Sequence, residues 1–191
     1  MERKLILASK SPRRSELLSS VGADFTIMTR HTDESYEGNP HPSNLVCELS
    51  KRKLLAVLEN VSENDIVISA DTIVYCSGEI FGKPKDDEEA FSMLKKMSGK
   101  AHEVYTGISV GNKEKIITEY ECTKVYFRNI TDKEIRNYIQ TCEVRDKAGA
   151  YAIQEKAALF VEKIDGDYFN IVGLPLCHLG NILRNEFDYI L

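Results

Sequence analysis

The sequence predicts an α/β fold, and three observations predict it. Strand and helix signals alternate along the whole chain. Residues 65–76 form a strongly apolar, β-branched run. Helix punctuation recurs at Ser11-Pro12, at Asp86 with Gly99, and at Thr131-Asp132-Lys133-Glu134. There is no internal repeat, low-complexity run or linker. With 191 residues and 42% hydrophobic content, the chain reads as one domain over 1–191 with a core stretched into two lobes.

Residues 4–8 read as a short buried strand. Ser11 then suits an N-cap, with Pro12 at the first helical position of a helix reaching about Ser20. Residues 33–42 are rich in turn formers, and 43–59 read as a second helix. Residues 65–76 are a central strand, turned by Ser77-Gly78 into a short partner at 79–81. Residues 86–97 are a helix with acidic residues in its first turn and Gly99 just past its end. Strands follow at 102–110 and 116–127. The Thr131/Glu134 capping box opens a helix to about Thr141. Residues 160–164 and 168–172 read as a hairpin around Asp165-Gly166, and Pro175 starts the last helix.

Composition excludes several classes. The net charge of −5 argues against nucleic acid as the main partner. No apolar run is long enough to span a bilayer, and the run ending at Leu7 is too short for a signal peptide. The five cysteines (Cys47, Cys76, Cys122, Cys142, Cys177) are odd in number and show no metal-clip spacing, and the four histidines show no zinc spacing. Reduced thiols in a cytoplasmic protein are the expectation.

Five segments carry candidate chemistry. Ser9-Lys10-Ser11-Pro12-Arg13-Arg14 joins a strand to a helix N-terminus, where unpaired backbone N–H groups and arginine forks favour a phosphate; a plain capped surface helix is the alternative. Asp71 interrupts an apolar strand. A buried carboxylate there needs a cleft, a cation or a metal, unless it simply meets solvent at a strand end. Lys53 shares a helical face with Val46, Leu49 and Val57, so it either snorkels past the core edge or points into a pocket. Gly82-Lys83-Pro84-Lys85-Asp86 is a basic turn ahead of a helix. Asp146-Lys147-Ala148-Gly149-Ala150-Tyr151 mixes charge with small residues. Cations suit a triphosphate, and carboxylates suit a divalent ion that neutralises it. The chain has no GxxxxGK[ST], GxGxxG or GxSxG motif.

In this order, the segments LASKSPRR (7–14), Ala70-Asp71-Thr72, Gly82-Lys83-Pro84, LKKMSGKAH (94–102), Tyr105-Thr106-Gly107, DKAGAYAIQ (146–154) and Gly173-Leu174-Pro175 resemble the Maf family, over nearly the whole chain. The resemblance implies an elongated mixed-sheet α/β domain of two lobes with a central cleft, similar to the inosine triphosphatase-like architecture. It implies hydrolysis of a nucleoside triphosphate with release of pyrophosphate, supported by Mg²⁺ or Mn²⁺, and a homodimer. Asp71 matches the family's proton acceptor. Arg13, Thr72 and Gln154 match positions of base choice, with Gln154 resembling the branch that prefers dTTP and UTP. Ser9, Ser11, Arg14, Glu34, Lys53, Lys83 and Lys147 match the polar pocket, with Asp71 and Glu34 the implied metal ligands. Ala152 departs from an expected glycine, which bears on base preference, and Asp167 and Phe169 depart from serines. The same residues also suit a nucleotide-binding regulator of septum formation or a house-cleaning hydrolase for modified pyrimidine nucleotides.

Overall fold

The computed structural model describes residues 3–191; Met1 and Glu2, which open the N-terminal run read above, lie outside the described residues. The chain is mixed α/β. Strands β1 (Leu5–Leu7), β2 (Phe25–Ile27), β3 (Ile66–Cys76), β4 (Glu79–Phe81), β5 (Ala101–Gly111), β6 (Ile116–Phe127) and β7 (Val161–Asp165) form a seven-stranded sheet. Its order is β2-β1-β3-β5-β6-β7, with β4 on the end of β3. β1 is parallel to both β2 and β3, while β4 on β3 and β7 on β6 are antiparallel. The sheet is therefore mixed, as the alternating pattern requires. The helices are α1 (Pro12–Ser20), α2 (Pro42–Leu58), α3 (Asp87–Met97), α4 (Asp132–Thr141), α5 (Tyr168–Val172) and α6 (Leu176–Phe187).

The chain divides into two compact units. The first takes in the described residues up to Asp71, Thr106–Glu121 and Gly173–Leu191; the second takes in Thr72–Tyr105 and Cys122–Val172. In the first, β1 and β3 carry continuous apolar runs because parallel strands are covered on both faces. Ile6, Ala8 and Val67 pack with Leu54, Val57 and Leu58 of α2. Burying side chains of this size stabilises by about 1.5–3 kcal/mol each, which anchors the strand that carries Asp71 at its middle. In the second unit the core is aromatic: Phe127, Tyr151, Tyr138, Phe160 and His102 meet edge to face.

Most boundaries follow the punctuation. Thr131 and Glu134 form the full capping box of α4, and the Asp86 side chain accepts from Glu89 N to cap α3. Ser11 is the N-cap residue of α1 by position, but its side chain makes no capping bond. Helix α2 starts at Pro42 with His41 as its cap, ahead of the predicted Ser43. The predicted hairpin is half correct. β7 is a strand, but residues 168–172 are α5. One local bond and two distant ones decide this: Asp167 accepts from Phe169 N (2.8 Å), and buried Asn170 donates to Val104 O (3.0 Å) and Thr123 Oγ1 (2.9 Å). These bonds outweigh the β propensity of Tyr168, Phe169, Ile171 and Val172. Strand β2 carries no prediction at all. Among the described residues no helix is long and apolar enough to cross a membrane.

Candidate active site

In the first unit the site begins where β1 gives way to α1. Ser9 is buried, and its hydroxyl accepts from Ser11 N (3.2 Å) and from Arg14 Nη1 (3.1 Å). Arg14 Nε donates to Gly173 O (2.8 Å). Gly173 has φ +119°, a conformation that side-chain-bearing residues rarely adopt, so the carbonyl that orients Arg14 depends on glycine. Burial pulls the Arg14 pKa below its ordinary value; Asp71 opposes this, the neighbouring Arg13 reinforces it, and Glu34 opposes it. Arg13, Arg14, Asp71 and Glu34 thus share one electrostatic field at the N-terminus of α1.

Helix α2 brings the lysine. A Cβ built on Gly107 of β5 would lie 2.2 Å from Val46 O, so the α2 backbone lies directly on the strand there. The register of α2 on β3 is set by hydroxyls. Ser69 Oγ, two residues before Asp71, donates to Ser50 O (2.6 Å), one turn before Lys53, while Ser50 Oγ donates to Cys47 O (2.9 Å) and meets Ser109 Oγ (2.9 Å). With that register fixed, Lys53 Nζ lies 2.5 Å from Asp71 Oδ1 and 2.8 Å from Glu34 Oε1. Lys53 does not snorkel. Its ammonium is held between two carboxylates, one from the end of a buried strand run and one from an exposed loop.

In the second unit Thr72 follows Asp71 along β3 and is half-buried. Lys83 is exposed on the turn after β4. That turn is tied to the 146–154 segment, since Gly149 N donates to Gly82 O (3.0 Å). Gly149 has φ +65° and lies so close to Val74 that a Cβ would meet its Cγ2 at 2.8 Å. Lys147 is buried and bonds Asp146 (2.9 Å), Glu155 (3.5 Å) and the carbonyl of Glu143. Gln154 is exposed. The chain ahead of it is fastened twice: Tyr151 OH bonds His102 Nε2 (2.8 Å), and Tyr138 OH accepts from Ala152 N (3.3 Å). Burial holds His102 down to about 4, so it serves as a neutral hydrogen-bonding ring.

The family described as Maf-like protein matches residues 4–186. The chain belongs to the Maf family. A dTTP/UTP pyrophosphatase of Thermoanaerobacter sp. (strain X514) is 51% identical over 97% of both chains. One from Alkaliphilus oremlandii (strain OhILAs) is 48% identical over 97% of both, and one from Bacillus cereus (strain B4264) is 46% identical over 97% of this chain and 96% of its own. Among solved structures, the Staphylococcus aureus Ham1 protein aligns with 65% of this chain and 72% of its own, at 14% identity and a TM-score of 0.48.

Several Maf motif residues prove to be architectural. Gly107 admits α2, Gly173 presents a carbonyl to Arg14, and His102 and Tyr151 fasten each other. Ala152 does not take a left-handed backbone conformation, so its methyl costs no backbone strain where a glycine was expected. Sequence reading missed the Ser50–Ser69–Ser109 hydroxyl set, although small hydroxyls on otherwise apolar faces were the available signal.

Proposed function

We propose that residues 1–191 act as one nucleotide pyrophosphatase domain that cuts dTTP or UTP to the monophosphate and pyrophosphate. The observation that carries the reading is Lys53 held between Asp71 and Glu34, in the same electrostatic field as Arg13 and Arg14, in a Maf chain half identical to dTTP/UTP pyrophosphatases.

Arg13, Arg14 and the N–H groups opening α1 at Ser11 hold phosphate oxygens. Arg14 is pre-aimed by Ser9 and Gly173 and pays little ordering cost. Lys53, Lys83 and Lys147 stabilise the charge that develops as the α–β phosphoanhydride opens. Lys147 must loosen a carboxylate contact to do so. Asp71 orients a water molecule and takes its proton, while pyrophosphate leaves with the bridging electron pair. Thr72 and Gln154 read the base; a Gln amide matches the donor and acceptor edge shared by uracil and thymine.

Among the described residues no group of three or more His, Cys, Asp or Glu is placed to hold a metal. The hard oxygens of Asp71 and Glu34 suit Mg²⁺ or Mn²⁺, ions that complete their shells with water and substrate phosphate. When bound, such an ion supplies neutralisation of phosphate charge. The proposed setting is the cytoplasm, with a homodimer as the assembly.

The test is a panel of canonical and modified nucleotides with Mg²⁺ or Mn²⁺, scoring pyrophosphate separately from orthophosphate. Pyrophosphate from dTTP and UTP ahead of purine nucleotides is the expected result. Preference for a modified pyrimidine would move the substrate assignment to a house-cleaning role, and orthophosphate alone would remove the reaction type.

A further inference from the structure

Glu34 sits in a stretch with no regular secondary structure between β2 and α2, and residues 33–37 are all exposed. Such a segment is costly to hold in one conformation, yet its carboxylate meets Lys53 at 2.8 Å. Lys53's neighbour on α2 accounts for this. Arg52 Nη1 donates to the carbonyls of Asp33 (3.2 Å) and Ser35 (2.9 Å), the residues on either side of Glu34. Arg52 Nε in turn donates to Glu48 (2.9 Å), one turn earlier on the helix. Asp33 tightens the same turn by accepting from Ser35 N and Ser35 Oγ, both at 2.8 Å. Two consecutive helical residues therefore hold one acid, Arg52 by the carbonyls on either side of it and Lys53 by its carboxylate.

We propose that Arg52 is a positioning residue that presents Glu34 to the Lys53–Asp71 pair; its effect on turnover rests on the catalytic reading of that pair given above. Arginine suits the task, because a planar fork donates from several N–H groups at once, whereas a lysine ammonium lacks that shape.

The test compares Arg52→Ala, Arg52→Lys, Glu34→Gln and the Arg52→Ala/Glu34→Gln double variant. Amide hydrogen exchange across residues 32–37 is read in the free protein, and kcat and KM are read with UTP. Arg52→Ala is expected to speed exchange at Glu34 and Ser35 by about tenfold and to lower kcat by about tenfold, with KM nearly unchanged. Arg52→Lys is expected to recover part of both. In the Glu34→Gln background the alanine substitution is expected to change kcat by less than about twofold. Unchanged exchange in Arg52→Ala overturns the proposal. So does an equal kcat loss with and without Glu34. Absence of turnover by the wild-type protein is a different failure: it removes the function assigned to the site, while the exchange measurement still decides whether Arg52 orders the loop.

Discussion

Lys53 and Lys147 each sit among two carboxylates, yet the two units hold them differently. Lys53 reaches from helix α2 to Asp71 at the end of a buried strand run, a partner fixed by other parts of the fold; its side chain is 18% exposed and that of Asp71 11%. Lys147 is 4% exposed, and its partners Asp146 and Glu155 are 48% and 42% exposed. Two of its three bonds are also local, to Glu143 and Asp146. The first arrangement is pre-organised by the register of α2 on β3. The second is a loop that ties itself down. Similar charge counts thus give a pair that joins a helix to a strand in one unit and a largely local tie in the other.

The largest effect separating them is expected from Lys53→Met and Lys147→Met. Lys53→Met is expected to lower kcat by about 10²-fold and to remove the ion-pair partner of buried Asp71, costing about 3 kcal/mol of stability. Lys147→Met leaves only half-exposed acids behind and costs about 1 kcal/mol, its kinetic loss falling mainly on KM. Steady-state kinetics and denaturant melts of the two variants check this; equal losses would erase the distinction.

Next in size is the support beneath Lys53. Gly107→Ala drives a methyl group into the α2 backbone at Val46 and is expected to cost about 3 kcal/mol with a fall in kcat, because Lys53 moves with the helix. A denaturant midpoint unchanged from wild type would show that α2 is not fixed there.

The smallest effect concerns pH. In the first unit His178 bonds Glu119 (2.5 Å) and Glu121 (3.1 Å). Burial acts to lower its pKa, but the hydrogen bonds to the two glutamates outweigh it and the net shift is upward. A raised folded-state pKa gives stability that is complete below the ordinary value of 6.5 and is lost as pH rises through the folded value. In the second unit Glu134 is held down to about 2, by Arg128 first and by Thr131, so its contribution is present above 4.5 and lost as pH falls towards about 2. The two groups therefore lose their contributions in opposite directions of pH. His178→Gln is expected to flatten the alkaline limb of a stability–pH curve, and Glu134→Gln the acid limb.

Much of this was legible in the sequence because it is written locally. Pro12, the Asp86 cap and the Thr131/Glu134 box place three helices, and the apolar run at 66–70 announces a covered strand. What failed was decided by distant partners. β2 is three residues at the sheet edge with two exposed side chains, so it shows no alternation to read. Residues 168–172 carry strand-forming side chains but are turned into a helix by Asp167 and Asn170. At the site, residue types were legible and pairing was not. Lys53 and Asp71 are 18 positions apart, and their meeting depends on a Ser69–Ser50 bond that no periodicity reveals.

Asp71 carries the proposed chemistry most directly. The decisive measurement is pyrophosphate release from UTP by the wild-type protein and by Asp71→Asn, with nucleotide affinity measured on both by calorimetry. Intact UTP binding by the variant, with turnover reduced by about 10²–10⁴-fold, is the expected result. Wild-type turnover in Asp71→Asn would contradict it and take the proton-accepting role away from this residue.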